Sequence, residues 1–321
     1  MKSIDELRTL VEQEIYDLKY PHTPADLYLP IEYILSLGGK RMRPILLLLA
    51  YQLFDDDINK AIKPSMSIEF FHNFTLLHDD IMDKAPLRRG KATVHTKWNN
   101  NIAILSGDAM LVKSYQYLSD LPSKHLSKCL DIFNKMALKV CEGQQFDMDF
   151  EIQAEVNMES YLKMVEYKTA VLLGAALQIG AIIGGANEKQ AKSLYDFGRN
   201  IGIAFQLKDD LLDVFGDKKS FGKQIGGDII SGKKTCLYLK ALSLSEGKEK
   251  MDLVNLYTSF ELNTTEKVER VKSIYGSMNL KEHIDSLIDN YYSKAMKSLK
   301  KINGNVSQLE LFASLLKKRE S

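Results

Sequence analysis

Residues Glu69–Gly90 read EFFHNFTLLHDDIMDKAPLRRG and set three carboxylates, Asp79, Asp80 and Asp83, beside two adjacent arginines, Arg88 and Arg89. The stretch from Pro64 reads as a helix that ends before Pro86. On a helix, Asp79 and Asp83 share one face, about 6 Å apart. Like charges that close repel, so the helix itself gains nothing from the pair. A hard divalent cation reverses that sign, because Mg²⁺ prefers carboxylate oxygens and brings phosphate oxygens as further ligands. Arginine forks bind phosphate through paired N–H donors. The segment therefore reads as carboxylates for a metal and guanidinium groups for the phosphates the metal bridges. For one such motif on its own, a solvated acidic patch is the alternative.

The spacing recurs at Asp209-Asp210-Leu211-Leu212-Asp213, with the apolar pair Leu211-Leu212 where the first copy has Ile81-Met82. Leucine-rich flanks predict that both helices are mostly buried. Buried carboxylate clusters without a counter-charge are very costly. Two of them in a helical core point to one shared site, closed by metal and a polyanionic ligand.

The 321 residues are 45% apolar and 26% charged, with a formal net charge of +1. That is an ordinary globular composition, and it gives no global electrostatic case for binding nucleic acid or membrane. The N-terminus, MKSIDELRTLVEQEI, has neither a signal-peptide core nor the arginine-rich character of a transit peptide. Apolar stretches such as Val171–Ile183 are interrupted by Gly174, Gln178 and Gly180 and read as too short to span a bilayer. Cys129, Cys141 and Cys236 show no CxxC spacing, which suggests buried thiols in a reduced, cytoplasmic compartment.

No proline follows Pro122, so long uninterrupted helices are open to the rest of the chain. Ser3-x-x-Glu6 is a capping box. Leu27–Leu37 reads as a helix stopped by Gly38-Gly39, and Pro44 and Pro64 mark first turns of new helices. Ile45–Leu49 is apolar all round, hence buried. Helices follow over Ile102–Leu118, Ser123–Phe150 and Met158–Ile183. Asn187 caps another that runs to Gly216. Strand signals are nearly absent. The expected architecture is all-α: residues 1–321 as a single domain, a helical bundle around a deep central cavity.

Other segments carry cations. Gly38-Gly39-Lys40-Arg41-Met42-Arg43-Pro44 joins a helix end to a helix start and suits a diphosphate through backbone N–H groups and charge. A C-cap followed by a basic loop is the plainer reading. Glu69 and His72 form ExxH without a second copy, which argues against a di-iron site. His72 lies two turns before Asp79 and is placed to donate to a phosphate. His78-Asp79 resembles the HD pair of metal phosphohydrolases, but His22, His95, His125 and His283 lack neighbouring carboxylates on a buried helix. Lys168, in Tyr167-Lys168-Thr169, either snorkels outward or reaches an internal anion. Gln206 stands one turn before Asp209, where an amide dipole could stabilise a developing cation. Phe221-Gly222-Lys223 and Gly232-Lys233-Lys234-Thr235 add lysines in glycine-containing loops, for which an ordinary surface role is the alternative.

Together these segments resemble the trans-isoprenyl diphosphate synthases, the polyprenyl synthetase family, from about Gly38 to Leu242. The similarity rests on GGKRMRP, TLLHDDIMD, PLRRGKATVH, GDAM, GQQFDMDF, YKTA, FQLKDDLLD, FGK and GDIISGKKT. The resemblance implies an all-α bundle, a homodimer, and head-to-tail joining of an allylic diphosphate to isopentenyl diphosphate. It implies that Asp79, Asp83, Asp209 and Asp213 hold a cluster of three Mg²⁺ on the allylic diphosphate, with Asp80 and Asp210 supporting them at the metal site. Arg88, Lys168, Lys223 and Lys233 match allylic diphosphate contacts. Lys40, Arg43, His72 and Arg89 match isopentenyl diphosphate contacts. Thr169 and Gln206 match positions near the breaking C–O bond, and the released pyrophosphate is the implied base. Cys236-Leu237 stands where the family commonly has Leu-Pro, which puts the local helix in question. A terpene cyclase and a non-catalytic subunit of a heteromeric synthase are the competing readings. The first lacks the GGKRMRP loop, and the second loses motif residues that this chain keeps.

In that family an aromatic residue four or five positions before the first motif goes with short products. Phe74 holds the fifth position, Thr75 the fourth, and Phe71 lies one turn deeper. Products of fifteen to twenty carbons are expected, leaning to geranylgeranyl over farnesyl diphosphate.

Overall fold

The structure is a computed structural model of the 321-residue chain, and the described residues are 1–216, 226–258 and 263–318. It is helical nearly throughout. The first ten helices are Ile4–Tyr16 (α1), Ala25–Ser36 (α2), Met42–Tyr51 (α3), Asn59–Met82 (α4), Val94–Lys97 (α5), Asn100–Ser119 (α6), Ser123–Ile152 (α7), Met158–Val165 (α8), Val171–Gly184 (α9) and Glu188–Phe215 (α10). Shorter and longer helices follow at Gly227–Ser231, Cys236–Leu244, Gly247–Thr258, Thr264–Ser277, Leu280–Leu299 and Ser307–Lys317.

Most ends follow the expected caps. The Ser3 side chain accepts the Glu6 N–H, and the Glu6 carboxylate accepts the Ser3 N–H at 2.8 Å. Asn187 Oδ1 accepts the Gln190 N–H at 2.9 Å and opens α10. One start differs from expectation: α4 begins at Asn59, so Pro64 lies inside its second turn. That close to the start, the ring removes a single ladder bond, and the carbonyl it frees belongs to exposed Lys60. Cys236 starts a helix despite the missing Leu-Pro, with Thr235 as its extended N-cap residue.

The chain groups into two compact units. One comprises Met1–Lys135, Leu172–Tyr195 and Ile302–Leu309. Its core is built on α3, where every residue from Pro44 to Tyr51 is buried, together with Leu7, Val11, Ile31, Leu35, Phe70 and Phe71. Each leucine buried in this way contributes about 1.5–3 kcal/mol. In this unit α4 packs along α6 and against α3. The second unit comprises Met136–Val171, Asp196–Lys301 and Glu310–Ser321. Its core gathers Val165, Leu207, Leu211, Leu237, Leu253, Val271, Tyr275 and Ile284.

Two local features were not expected. Leu87–Arg88 (β1) pairs antiparallel with Lys91–Ala92 (β2), Arg88 opposite Lys91. The two loop residues, Arg89 and Gly90, have φ of 53° and 75°, the signature of a type I′ turn. Second, the helical run from Met158 is interrupted at Glu166–Ala170 by one turn of π-helix. Gly143 of α7 lies against that turn so closely that a Cβ would come 2.2 Å from the Lys168 nitrogen, and Gly202 of α10 would meet the Ala170 Cα at 2.6 Å. Read through the π-turn, Met158–Gly184 is 27 residues, long and apolar enough to cross a membrane, contrary to the reading of Val171–Ile183 alone. In its most apolar window 78% of the residues are buried inside the protein, so its apolar surface serves the core.

Candidate active site

In the first unit the acidic motif occupies the C-terminal end of α4. Asp79 and Asp80 lie in the last turn, and Asp83 is the cap residue, its N–H bonded to the Asp79 carbonyl at 2.8 Å. A helix C-terminus carries partial negative charge, so carboxylates there are disfavoured. Cations answer them. Asp80 is 2% exposed, and Arg88 grips both its oxygens, Nε to Oδ2 at 2.8 Å and Nη2 to Oδ1 at 2.7 Å. The hairpin thus carries Arg88 back onto the motif.

Further arginines collect around the GGKRMRP loop. Arg41 holds the loop down: only 5% exposed and in the left-handed region at φ 45°, it donates to Glu69 Oε1 at 2.6 Å and to the Leu35 carbonyl at 2.6 Å. Asn73 Nδ2 donates to the same Glu69 oxygen at 3.0 Å. The Arg89 guanidinium lies over Gly39, where a Cβ would come within 2.6 Å of Nη2. Arg43 Nη1 is 3.0 Å from His72 Nε2. A guanidinium has no acceptor, so His72 Nε2 accepts and the ring is neutral, with Nδ1 left as its donor. Burial and then the charges of Arg43, Arg88 and Arg89 push the His72 imidazole well below its ordinary value. Burial also draws Arg43 down to about 10, against the pull of Glu69, and leaves it charged at neutral pH. Lys40 is exposed at the loop.

Below the motif, α4 carries an aromatic ladder. Phe74 meets His78 at 4.8 Å and Phe71 at 5.6 Å, and Phe71 meets Phe133 of α7 at 5.3 Å. Thr75 Oγ1 donates to the His72 carbonyl at 2.7 Å, so its hydroxyl is taken up by its own helix. His78 Nε2 lies 3.2 Å from the Ile104 carbonyl.

In the second unit the other motif again sits in the last turns of a helix, α10. Asp210 is 4% exposed and fully engaged. Its Oδ2 takes the Tyr161 hydroxyl and, at 3.4 Å, the Cys236 N–H, and its Oδ1 takes Gln206 Nε2 at 3.2 Å. Burial raises the Asp210 carboxyl to about 6, while these hydrogen bonds work to lower it. Gln206 Oε1 accepts from Thr169 Oγ1 at 3.4 Å, so both ends of the amide are fixed. Asp213 Oδ2 accepts the Asp228 N–H at 3.0 Å. A cavity of about 140 Å³ opens beside these groups, lined among others by Asp147, Lys168, Thr169, Asp228 and Lys233. Of the two fates open to Lys168, the structure gives the internal anion: Nζ is 2.6 Å from Asp147 Oδ2. The π-turn presents Lys168 and Thr169 here. Lys234, by contrast, caps α7, donating to the carbonyls of Phe150 at 2.8 Å and Gln153 at 2.5 Å. Phe221, Gly222 and Lys223 lie outside the described residues.

Among the described residues no three carboxylate, imidazole or thiolate groups converge as a ready-made metal cage. The donor chemistry still suits Mg²⁺, which takes one or two carboxylates and completes its shell with water and phosphate oxygens. Asp79 with Asp83, and Asp209 with Asp213, are such pairs, one helical turn apart. Sequence reasoning missed Arg41, Glu69 as its partner, Tyr161, Asp147 and Asp228. Arg41, Glu69, Asp147 and Asp228 lie in segments that carry sequence patterns, but their partners come from other segments, and no pattern names the partner; Tyr161 lies in none of those segments.

A family profile described as polyprenyl synthetase matches residues 24–278. The chain is 36% identical over 304 residues to a geranylgeranyl diphosphate synthase of Methanosarcina mazei, covering 93% of this chain and 92% of that one. It is 38% identical over 257 residues to a geranylfarnesyl diphosphate synthase of Natronomonas pharaonis, covering 74% and 75%. A crystal structure of a geranylgeranyl pyrophosphate synthase superimposes over 100% of both chains with a TM-score of 0.94 at 41% identity. The chain belongs to the polyprenyl synthetase family and is a prenyltransferase.

Proposed function

We propose that the chain joins an allylic diphosphate to isopentenyl diphosphate, releasing pyrophosphate, and that its product is geranylgeranyl diphosphate, with farnesyl diphosphate the shorter alternative. The observation that carries this reading is the placing of carboxylates at the C-terminal end of α4, where the helix dipole opposes them, beside Arg43, Arg88 and Arg89. That arrangement is suited to metal and diphosphate together. The identity to geranylgeranyl synthases supports the product assignment.

Prenyl diphosphate synthases generally depend on Mg²⁺, and we assign Asp79, Asp83, Asp209 and Asp213 to hold three ions on the allylic diphosphate. When bound, Mg²⁺ neutralises the diphosphate leaving group. Asp80 and Asp210 support the motifs through their fixed hydrogen bonds. Lys168 exchanges Asp147 for a phosphate oxygen, Lys233 binds beside it, and Arg88 offers its remaining N–H groups. Lys223, outside the described residues, belongs to the same set. Lys40, Arg43, Arg89 and the Nδ1–H of His72 bind isopentenyl diphosphate. Thr169 and Gln206 face the allylic carbon from which the leaving group departs, and apolar walls keep water from that cation. Phe74, with Phe71 below it and Thr75 beside it, limits the chain length.

Residues 1–321 act as one catalytic domain in this reading. Cys129 and Cys236 are buried as expected and Cys141 is exposed instead, but all three are free, which supports a cytoplasmic setting, and Leu105 and Val112, exposed on α6, support a homodimer. The test is incubation of the purified chain with Mg²⁺, isopentenyl diphosphate and dimethylallyl diphosphate, followed by extraction and separation of products by length. A twenty-carbon diphosphate is expected. A hydrocarbon formed from farnesyl diphosphate alone would instead mark a cyclase.

A further inference from the structure

We propose that Tyr161 is a positioning residue for the second acidic motif, holding Asp210 as a fixed anchor from which Asp209 and Asp213 are aimed. The proposal rests on the reading that this motif binds metal with the allylic diphosphate.

Tyr161, on α8, is 3% exposed, and its hydroxyl donates to Asp210 Oδ2. The same oxygen takes the Cys236 N–H. Cys236 is the first residue of its helix, where backbone N–H groups have no partner within the helix and the dipole favours an anion. Gln206 holds the other oxygen and is itself held by Thr169. Neutral donors from three segments therefore fix one buried carboxylate, and none of them cancels its charge. The hydroxyl of Tyr161 is the only one of these donors that comes from α8. Losing it leaves a buried carboxylate short of a partner. The tie from α8 to this turn of α10, which carries Asp209 and Asp213, is lost with it.

The test uses the purified full chain as wild type, Tyr161→Phe, Asp210→Asn and the double variant. Mn²⁺ binding with inorganic pyrophosphate is read by electron paramagnetic resonance, alongside thermal melting and the KM for each substrate. Tyr161→Phe should stay folded yet bind Mn²⁺–pyrophosphate more weakly, by up to about 10-fold, the lower end of the effect of losing a direct partner of a metal ligand. The KM for isopentenyl diphosphate should not move. Because Tyr161 acts through Asp210, the double variant should be no worse than Asp210→Asn alone. If Tyr161→Phe fails to fold, Cys236→Pro decides. It removes the Cys236 N–H and thiol from the same carboxylate, at a first-turn position proline tolerates and after an extended Thr235. It should weaken Mn²⁺–pyrophosphate binding likewise. Wild-type binding in Tyr161→Phe, losses that add in the double variant, or an equal rise in both KM values overturns the proposal. A wild-type chain that binds no Mn²⁺–pyrophosphate overturns the functional reading beneath it, and the proposal with it.

Discussion

Arg89 sits at the first loop position of a type I′ turn with φ 53°, a place that asparagine and glycine fill without strain. A non-glycine residue held there costs on the order of 1 kcal/mol or more, and such strain persists where function demands it. Arg89→Asn should therefore raise stability by about 0.5–1 kcal/mol in denaturant titration while weakening isopentenyl diphosphate binding. A variant no more stable than wild type would remove the strain argument. His72 gives a pH signature. Its imidazole is held neutral in the fold, whereas the unfolded chain takes up a proton near pH 6.5. As pH falls below about 6.5 the unfolded state binds more protons than the native one, so His72 removes stability at up to about 1.4 kcal/mol per pH unit. His72→Gln should flatten unfolding free energy against pH by that amount between pH 6.5 and 5, and an unchanged slope would contradict it. Of these details the sequence showed residue types only. Adjacent arginines could be read as phosphate forks, but nothing local shows that Asp80 fills the Arg88 fork or that Glu69 takes Arg41. Those pairings depend on a tight hairpin and on packing between α3 and α4.

The helices were legible because their signals are local: a capping box at Ser3, an asparagine cap at Asn187, and an apolar run at Ile45–Leu49. The π-turn at Glu166–Ala170 was not, because a single inserted residue leaves no mark on composition or period. Other helices approach it at Gly143 and Gly202, where no side chain stands in the way. Gly143→Ala should destabilise by about 1–3 kcal/mol, the usual cost of overpacking, and displace Lys168. The KM for the allylic substrate should then rise more than that for isopentenyl diphosphate, and equal changes would count against the turn as a positioning element. The ladder on α4 makes a separate prediction. Phe74→Ala should lengthen the product by one or more five-carbon units when extracts are separated by chain length. Phe71 with Phe133 behind it should set the next limit. A folded, active variant that still makes the wild-type product would move the floor elsewhere.

At the scale of the whole chain, the all-α class followed from two facts visible at once, the lack of strand patterning and the lack of proline after Pro122. The two acidic motifs were equally visible, because their spacing repeats the helical turn. What the sequence could not carry was the environment of each carboxylate. Asp80 and Asp210 are buried with both oxygens hydrogen-bonded, while Asp79, Asp83, Asp209 and Asp213 are the outer members of each motif. Those four are the proposed holders of Mg²⁺ on the allylic diphosphate, and pyrophosphate release is the measurement that decides it. The purified chain, given isopentenyl and dimethylallyl diphosphates, should release pyrophosphate with Mg²⁺ and stop when the metal is chelated. Asp79→Ala and Asp209→Ala should each lower the rate by about three orders of magnitude or more, as loss of metal charge stabilisation requires. Release that survives chelation, or near-normal turnover by either variant, would contradict it.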